Sequence, residues 1–269
     1  MKKTALFNQI KKKKSFLCVG LDTVVSRVPE HLRSEPNPVF AFNRQIIDAT
    51  IDFAVAYKLN TAFYEAEGVQ GWEALRKTIE YIPKSVFTIA DAKRGDISHT
   101  SKMYAETFFD LMNFDSITVS PYMGSDSVRP FLDFEGKWAI ILAATSNDGG
   151  KDFQDLDVGG QELYKKVIQT SMNWGSDENI MYVVGATRSG ALKEIRKIIP
   201  NYFLLIPGVG AQGGDLKAVC ENGLNKECGL LVNSSRDIIY ADASENFAKK
   251  AALQAEKMQR QMAELLYWI

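Results

Sequence analysis

The chain is poor in the residues that build disulfide frameworks and metal clusters. Its 269 residues include three cysteines and two histidines. Cys18, Cys220 and Cys228 show no CxxC spacing and are odd in number, so the sequence predicts free thiols in a reducing compartment. His31 and His99 stand far apart, which argues against a histidine-built metal site.

An excess of charge of one sign is also missing. The 32 basic residues are balanced by 33 acidic ones. Because binding to nucleic-acid phosphates requires a strongly basic face, nucleic acid is not an expected partner. The single basic block, 11–14, is four consecutive lysines, and we expect it to be a solvated helix end.

Long apolar runs and flexible linkers are absent from the sequence as well. No segment approaches the roughly 20 apolar residues of a membrane span. The basic start is followed by an apolar stretch too short for an export signal. With no Pro/Gly/Ser-rich linker and no fixed-period repeat, the sequence predicts a cytoplasmic protein with one domain over residues 1–269.

Short apolar, β-branched runs recur along the chain, and most are apolar throughout rather than alternating. Such runs are typical of parallel strands covered on both faces. Helix-like stretches separate them, so strand and helix alternate eight times over about 250 residues, which is the pattern of a (β/α)8 barrel. A doubly wound open sheet is the main alternative. The predicted strands are 16–20, 53–58, 87–93, 116–120, 138–145, 181–185, 203–207 and 230–234.

In a barrel of this type, functional groups gather at the carboxyl ends of the strands. Nearly every predicted strand ends in a polar group suited to ligand contact. The fifth connection, 146–155, is longer and contains glycine, as in an active-site lid. The predicted strand-end groups are Asp22, Lys58, Asn60, Asp91, Lys93, Asp96, Ser120, Ser146, Asn147, Thr187, 208–214 and Arg236.

A glycine-rich loop, 208–215, follows the seventh strand and opens onto a helix. Its backbone N–H groups can face an anion, and Arg236 after the eighth strand can supply a bidentate charge. The spacing also matches GxGxxG, but that motif normally opens a chain-initial βαβ unit, so a dinucleotide site is the poorer interpretation. The structural alternative is a tight turn, with Arg236 paired to Asp237.

The densest charge pattern ends the third strand, where Asp91, Lys93, Arg94 and Asp96 fall within six positions. Residues two apart in a strand share a face, so Asp91 and Lys93 are expected to point together into the barrel mouth, beside Lys58. A buried salt-bridge network without catalytic function is the alternative, although such networks add doubtful net stability. The position of Lys58, Asp91 and Lys93 at the end of the barrel where active sites form favours a functional site.

Taken together, these segments resemble the orotidine 5'-phosphate decarboxylase family, in particular its bacterial branch. The DxKxxD element alone is shared with related sugar-phosphate decarboxylases and aldolases, but its combination with the lid and the glycine loop is specific. The segments that carry the resemblance are 20–22, 58–65, 91–97, 121–126, 145–147, 207–214 and 233–236.

The resemblance implies conversion of orotidine 5'-phosphate to UMP and carbon dioxide, the last step of UMP synthesis, without metal or organic cofactor. Lys58, Asp91, Lys93 and Asp96 are implied to form a charged tetrad, with Lys93 protonating C6 of the pyrimidine. Asp96 and Thr100 are implied to reach into the neighbouring subunit's site, which makes the unit a homodimer. The implied substrate contacts are Asp22 and Thr100 at the ribose, Ser146 at the pyrimidine, Gln212, Gly213 and Arg236 at the phosphate, and Pro207 beside it.

Two other functions stay open. A sister enzyme acting on a ketose or keto-acid phosphate would share the barrel but need a divalent metal, with Glu65 as the added ligand near Asp91. A non-catalytic barrel that binds nucleotide monophosphates is the second, and the retained lysines and aspartates argue against it. Leu59, His99 and Asp148 depart from the family pattern without removing a proposed catalytic group.

Overall fold

Eight strands form one closed barrel, and each coincides with a predicted apolar run to within two residues at either end. The computed structural model describes residues 1–210 and 213–266. Neighbouring strands are parallel and follow one another around the barrel in chain order. The strands are β1 Leu17–Gly20, β2 Ala54–Asn60, β3 Phe87–Arg94, β4 Ser116–Val119, β5 Trp138–Ala144, β6 Ile180–Val184, β7 Phe203–Pro207 and β8 Leu230–Ser234.

Closure of the sheet decides between the two predicted architectures. β1 pairs in parallel with β8, Leu17 lying opposite Val232, so the sheet has no free edge. Every residue of β1, β6 and β8 is buried, as expected for strands covered by side chains inside and helices outside. The (β/α)8 barrel is therefore confirmed, and the open doubly wound sheet is wrong.

Eleven α-helices lie in the described residues, and most connect one strand to the next. They cover the outside of the barrel, where their apolar faces pack against the strands. The helices are α1 Lys3–Lys13, α2 Pro38–Thr50, α3 Thr61–Glu65, α4 Gly68–Tyr81, α5 Ser98–Glu106, α6 Ser125–Leu132, α7 Leu163–Ser171, α8 Ser189–Ile198, α9 Leu216–Gly223, α10 Arg236–Ile239 and α11 Phe247–Leu265.

The helix α2 begins earlier than its sequence pattern predicts. The pattern predicts a helix over 43–51, but α2 begins at Pro38, where proline occupies the first turn. Asn37 caps that end, its Oδ1 accepting the Phe40 N–H at 3.0 Å. The last helix was expected over 243–268; α11 begins at Phe247, and position 268 lies outside the described residues.

The lysine block 11–14 ends α1, where positive charge favours the carboxyl end of the helix dipole. Lys11, Lys12 and Lys14 are exposed, as predicted. Lys13 differs, because its ammonium donates to the carbonyls of Ile51 at 2.6 Å and Ala54 at 2.7 Å. The block is thus mostly solvated, with one lysine tying α1 to the start of β2.

The hydrophobic core is continuous from the barrel interior to the surrounding helices. All three cysteines are buried within it as free thiols, and burial raises the pKa of each to about 12. In residues 1–210 and 213–266, no helix has both the length and the hydropathy needed to cross a bilayer.

Candidate active site

A cavity of about 280 Å³ opens at the carboxyl ends of the strands. Groups from both sides of the barrel line it, including Lys58 on β2, Asp91 and Lys93 on β3, and Arg236 at the start of α10. Its inner wall is apolar, with Leu142, Val183 and Leu205 among the lining residues. A mostly preformed pocket with a few convergent polar groups is the usual form of a small-molecule site.

Asp91 lies between two lysines at this end of the barrel. Its Oδ2 accepts from the Lys58 ammonium at 2.9 Å, and its Oδ1 accepts from the Lys93 ammonium at 2.7 Å. Burial alone would raise the pKa of Asp91, but the two ammonium groups outweigh it and hold that pKa well below its usual range. The carboxylate is therefore charged at neutral pH.

Lys58 is the most enclosed member of the group, with 5% of its side chain exposed. Burial favours the neutral amine, yet Asp91 and Asp22 together raise the pKa of Lys58 above its ordinary value. Asp22 Oδ1 lies 3.3 Å from the ammonium. Lys93, in contrast, has 49% of its side chain exposed to the cavity mouth. One lysine is fixed among carboxylates, and the other is accessible to a ligand.

The backbone at Lys93 is irregular. Ala90 pairs with Ile117 and Arg94 with Val119, so three residues of β3 lie opposite the single residue Thr118 of β4. Lys93 adopts φ 48°, a left-handed conformation that costs an L-residue about 1–2 kcal/mol. Asp91 and Lys93 do meet, as predicted, but through this bulge rather than through plain strand alternation.

Thr118 is a site residue that the sequence interpretation missed. Its Oγ1 accepts the backbone N–H of Lys93 at 2.9 Å and donates to Asp91 Oδ1 at 3.0 Å. The signal was present in the sequence, because Ser116 and Thr118 put hydroxyls at alternate positions of an otherwise apolar strand. Asn60 and Asn233 also line the cavity. Asn60 is one of the predicted strand-end groups, whereas Asn233 is not.

The other site residues that the resemblance implies divide into three groups. Asp22, Ser146, Pro207 and Arg236 line the cavity with the lysines. Asp96, Thr100 and Gly213 are not part of its lining. Gln212 lies outside the described residues.

Asp96 and Thr100 lie in the turn after β3 and the first turn of α5. The Asp96 backbone N–H donates to Ser101 Oγ at 3.0 Å, and the Ser101 hydroxyl lies 2.8 Å from the carbonyl of Ser127 on α6. These bonds fix the turn outside the cavity of its own chain. His99, in the same turn, is exposed.

The glycine loop closes on itself. Gly208, Gly210 and Gly213 all have positive φ, which a residue with a side chain adopts only with strain. The N–H of Gly213 donates to Gly210 O at 2.7 Å, and the N–H of Gly214 donates to Gly208 O at 3.1 Å. Asp215 caps α9 by accepting the Lys217 N–H at 2.9 Å. In this conformation these N–H groups are used within the loop, so the expected backbone cradle stays a prediction.

The fifth connection is anchored at its far end. Gln154 Oε1 accepts the Thr145 N–H at 2.8 Å, and Asp155 forms an ion pair with Arg188 at the end of the β6 connection. Between these anchors and β5, Phe153 is 64% exposed. The start of the segment, Ser146 and Asn147, lines the cavity, whereas Phe153 is not among the lining residues.

Glu65, the ligand required by the metal-dependent alternative, is committed elsewhere. It forms an ion pair with Arg94, whose guanidinium also lies 5.2 Å from the centre of the Tyr104 ring. Glu65 does not line the cavity. Within the described ranges, no three His, Cys, Asp or Glu side chains cluster so as to hold a metal ion. The ligand set of that alternative is not assembled here.

Comparison with known proteins gives relatives of the same family that the sequence resembles. A family model described as "Orotidine 5'-phosphate decarboxylase / HUMPS family" matches residues 15–251. The chain is 58% identical over 270 residues to an orotidine 5'-phosphate decarboxylase of Bacteroides fragilis, covering 99% of this chain and 98% of that one. It is 62% identical over 264 residues to the corresponding Christiangramia forsetii protein, covering 97% of each.

A solved structure supports the same relationship. A putative orotidine-monophosphate-decarboxylase from Toxoplasma gondii superposes with a TM-score of 0.86 at 35% identity, covering 98% of this chain and 97% of that one. The barrel, the Lys58–Asp91–Lys93 cluster and these sequence relationships agree. The chain belongs to the orotidine 5'-phosphate decarboxylase / HUMPS family.

Proposed function

We propose that this protein converts orotidine 5'-phosphate to UMP and carbon dioxide, the last step of de novo UMP synthesis. The observation that carries the proposal is Asp91 held between Lys58 and Lys93 in a cavity that Arg236 also lines. A negatively charged pyrimidine can meet the lysines while a phosphate meets the arginine. Curated relatives at 58% and 62% identity bear the name of this decarboxylase.

Lys93 is the proton donor in this proposal. The bond between C6 and the carboxylate breaks, its electron pair stays on C6, and carbon dioxide leaves. The pair lies in the plane of the ring, where the π system delocalises it poorly, so a fixed cation beside C6 stabilises the developing charge. The Lys93 ammonium then transfers a proton to C6, and the resulting amine regains a proton from water.

Asp91 and Lys58 prepare this step. Asp91 holds the Lys93 ammonium in place and sets a negative charge near the substrate carboxylate, an arrangement that disfavours the ground state. Lys58 keeps Asp91 ionised and oriented. The whole enzyme-supplied stabilisation falls within the roughly 8–23 kcal/mol that enzymes provide.

The remaining contacts align the substrate. Asp22 holds the ribose, Ser146 contacts the pyrimidine, and Arg236 grips the phosphate together with Gln212 and Gly213, beside Pro207. Binding energy gained at the phosphate, far from C6, can be used to close the 146–155 segment over the ring.

A homodimer completes the site. We assign Asp96 and Thr100 to the partner's cavity, which agrees with their position outside the cavity of their own chain. Ile97 in this turn is 60% exposed and Met123 in the connection after β4 is 50% exposed; exposed apolar groups mark protein–protein contacts when they cluster. A cytoplasmic location belongs to the same proposal, and the free thiols support it.

Hybrid dimers test the shared site. Lys93→Ala and Asp96→Ala subunits are each expected to be inactive alone. Random exchange in an equal mixture makes half of the dimers mixed, each with one intact site, so the mixture should recover about a quarter of wild-type activity. No recovery, with subunit exchange shown by mass spectrometry, would mean that each site is built from one chain.

The reaction itself is tested by following the ultraviolet absorbance of orotidine 5'-phosphate with purified protein in EDTA. Loss of the orotate band with UMP as product supports the proposal. A flat trace from folded protein that still binds UMP would identify a nucleotide-binding barrel instead. Turnover of a sugar phosphate that requires magnesium would point to the metal-dependent sister enzyme.

A further inference from the structure

We propose that Thr118 is a positioning residue for Lys93, acting through one hydroxyl that joins the backbone of Lys93 to the carboxylate of Asp91. The inference rests on the proposed function and deepens it by adding a residue that touches neither substrate nor the reacting atoms. Its basis is the pair of hydrogen bonds at Thr118 Oγ1, which lies 2.9 Å from the backbone nitrogen of Lys93 and 3.0 Å from Asp91 Oδ1.

The direction of both bonds follows from the chemistry of the groups. The Lys93 backbone N–H can only donate, so Thr118 Oγ1 accepts from it. Asp91 is ionised and can only accept, so the single Thr118 proton points at its Oδ1. The hydroxyl is buried, with Thr118 1% exposed, so water does not replace either bond. Consecutive bonds of this kind polarise and strengthen one another.

The backbone of Lys93 needs this support. Its φ of 48° is disfavoured, and such conformations persist where surrounding bonds hold them. Thr118 is the residue of β4 that lies opposite the bulge, between the Ile117 and Val119 pairs. Without the hydroxyl, the Lys93 N–H loses its acceptor and the bulge can relax, which moves the ammonium at the end of the side chain.

The Thr118 hydroxyl also determines which donors bind each of the two carboxylate oxygens of Asp91. Oδ2 accepts from Lys58 at 2.9 Å, while Oδ1 accepts from both the Lys93 ammonium at 2.7 Å and Thr118. Thr118 thus fixes the position of Asp91 Oδ1, the oxygen that accepts from the Lys93 ammonium. A displacement of the Lys93 ammonium by about 1 Å reduces turnover. It does not weaken substrate binding at the phosphate, which is far from C6.

A matched control lies at the opposite end of the same pair of strands. Thr88 Oγ1 accepts the Asp115 backbone N–H at 2.9 Å and donates to Asp115 Oδ2 at 3.1 Å. As at Thr118, one buried hydroxyl accepts a backbone N–H and donates to a carboxylate. The partner of Thr88, Asp115, is not part of the cavity lining, whereas Asp91 and Lys93 are. Thr88 reports what losing a buried hydroxyl does to the barrel alone.

The experiment compares Thr118→Val, Thr118→Ser and Thr88→Val with wild type by kcat and KM for orotidine 5'-phosphate and by thermal melting. We expect Thr118→Val to lower kcat by roughly 10- to 100-fold, the scale of one hydrogen bond to a charged group, with KM within threefold. Thr118→Ser keeps the hydroxyl and should recover kcat to within threefold. Thr88→Val should keep wild-type kcat even where its melting temperature falls.

Three results would overturn the inference: wild-type kcat in Thr118→Val, no recovery in Thr118→Ser, or an equal loss of kcat in Thr88→Val. If Thr118→Val does not fold, Thr118→Ala replaces it with the same expected loss of kcat. Failure of the proposed function itself is separate, because wild-type protein would then release no UMP at all.

Discussion

Two cations, buried Lys58 and half-buried Arg196, illustrate opposite uses of positive charge in this barrel. Lys58, at the carboxyl ends of the strands, is held by two carboxylates. Arg196, on α8, instead donates to backbone carbonyls, among them Gly223 O at 2.6 Å and Gly229 O at 2.7 Å. Burial lowers the pKa of Arg196 to about 10, whereas the pKa of Lys58 is raised despite burial.

The difference follows from what surrounds each cation. Carbonyl dipoles satisfy the donors of a guanidinium but offset less of the desolvation cost than a full negative charge does. Arg196 also binds the carbonyls of Ile199 and Tyr202, so it joins the connections before β7 and β8 at the amino-terminal face of the barrel. In this fold that face serves stability, and the opposite face serves chemistry.

The largest expected effect is on catalysis. Lys93→Ala should lower kcat by at least about 1,000-fold, since it removes both the stabilising charge and the proton donor. The free energy of unfolding should change by less than about 1 kcal/mol, because the side chain is half-exposed. The checks are the absorbance assay and urea unfolding. Turnover above a tenth of wild type would contradict the assignment.

Arg196→Met is the opposite case. It leaves several carbonyls without a donor, so we expect a loss of about 3 kcal/mol in the free energy of unfolding, with kcat unchanged. Urea unfolding measures the first quantity and the absorbance assay the second. Arg260→Met is the matched control, because Arg260 is exposed on α11 and pairs with Glu256 one turn away. Equal stability of the two variants would show that the Arg196 bonds carry no net stabilisation.

At the cavity rim, Arg236→Ala should raise KM by roughly 30-fold, the scale of a charge-assisted hydrogen bond to phosphate, with a smaller change in kcat. Arg236 is exposed, so stability should stay within about 0.5 kcal/mol of wild type. Steady-state kinetics and thermal melting provide the two readouts. An unchanged KM would place the phosphate elsewhere in the cavity.

The smallest expected effect is pH-dependent. The folded pKa of Asp91 is depressed below its ordinary 3.8, so the stability it provides is complete above that value and declines as the pH falls through it. The difference in unfolding free energy between wild type and Asp91→Asn should be constant from pH 7 to 5 and roughly 0.6 kcal/mol smaller near pH 3.5.

Arg196→Met supplies the comparison for this measurement. The Arg196 guanidinium stays protonated in folded and unfolded protein throughout the acid range. The difference in unfolding free energy between wild type and Arg196→Met should therefore not change with pH in that range. Urea midpoints at the same three pH values measure both differences. A parallel decline in the two variants would mean that the change is general acid destabilisation.

The barrel was predictable because its signal is local. Strands such as β6 and β8 are buried on both faces, so their sequences are apolar throughout and bounded by helices. Assignment of residues 1–269 to one domain stays a prediction that the closed barrel supports. Lys58, Asp91 and Lys93 could also be placed, since strand ends in a closed barrel converge on one mouth.

Features that depend on partners distant in sequence could not be predicted. The bulge at Lys93 depends on register with β4, and the Arg94 ion pair that occupies Glu65 depends on how α3 folds back. Arg196 lies on an amphipathic helix where an arginine usually faces solvent; its burial depends on loops that bring carbonyls to it. The roles proposed for Asp96 and Thr100 depend on a partner subunit and stay predictions.

The buried cysteines have a practical consequence. With thiol pKa values near 12, only about one molecule in 100,000 carries the thiolate at a given cysteine at pH 7, and the sulfur atoms are also shielded by the core. A new cysteine at the exposed position of Phe153, in the segment beside the cavity, would be the preferred target for a maleimide dye. Closure of that segment over a nucleotide could then be followed by fluorescence in a protein that keeps all its native cysteines.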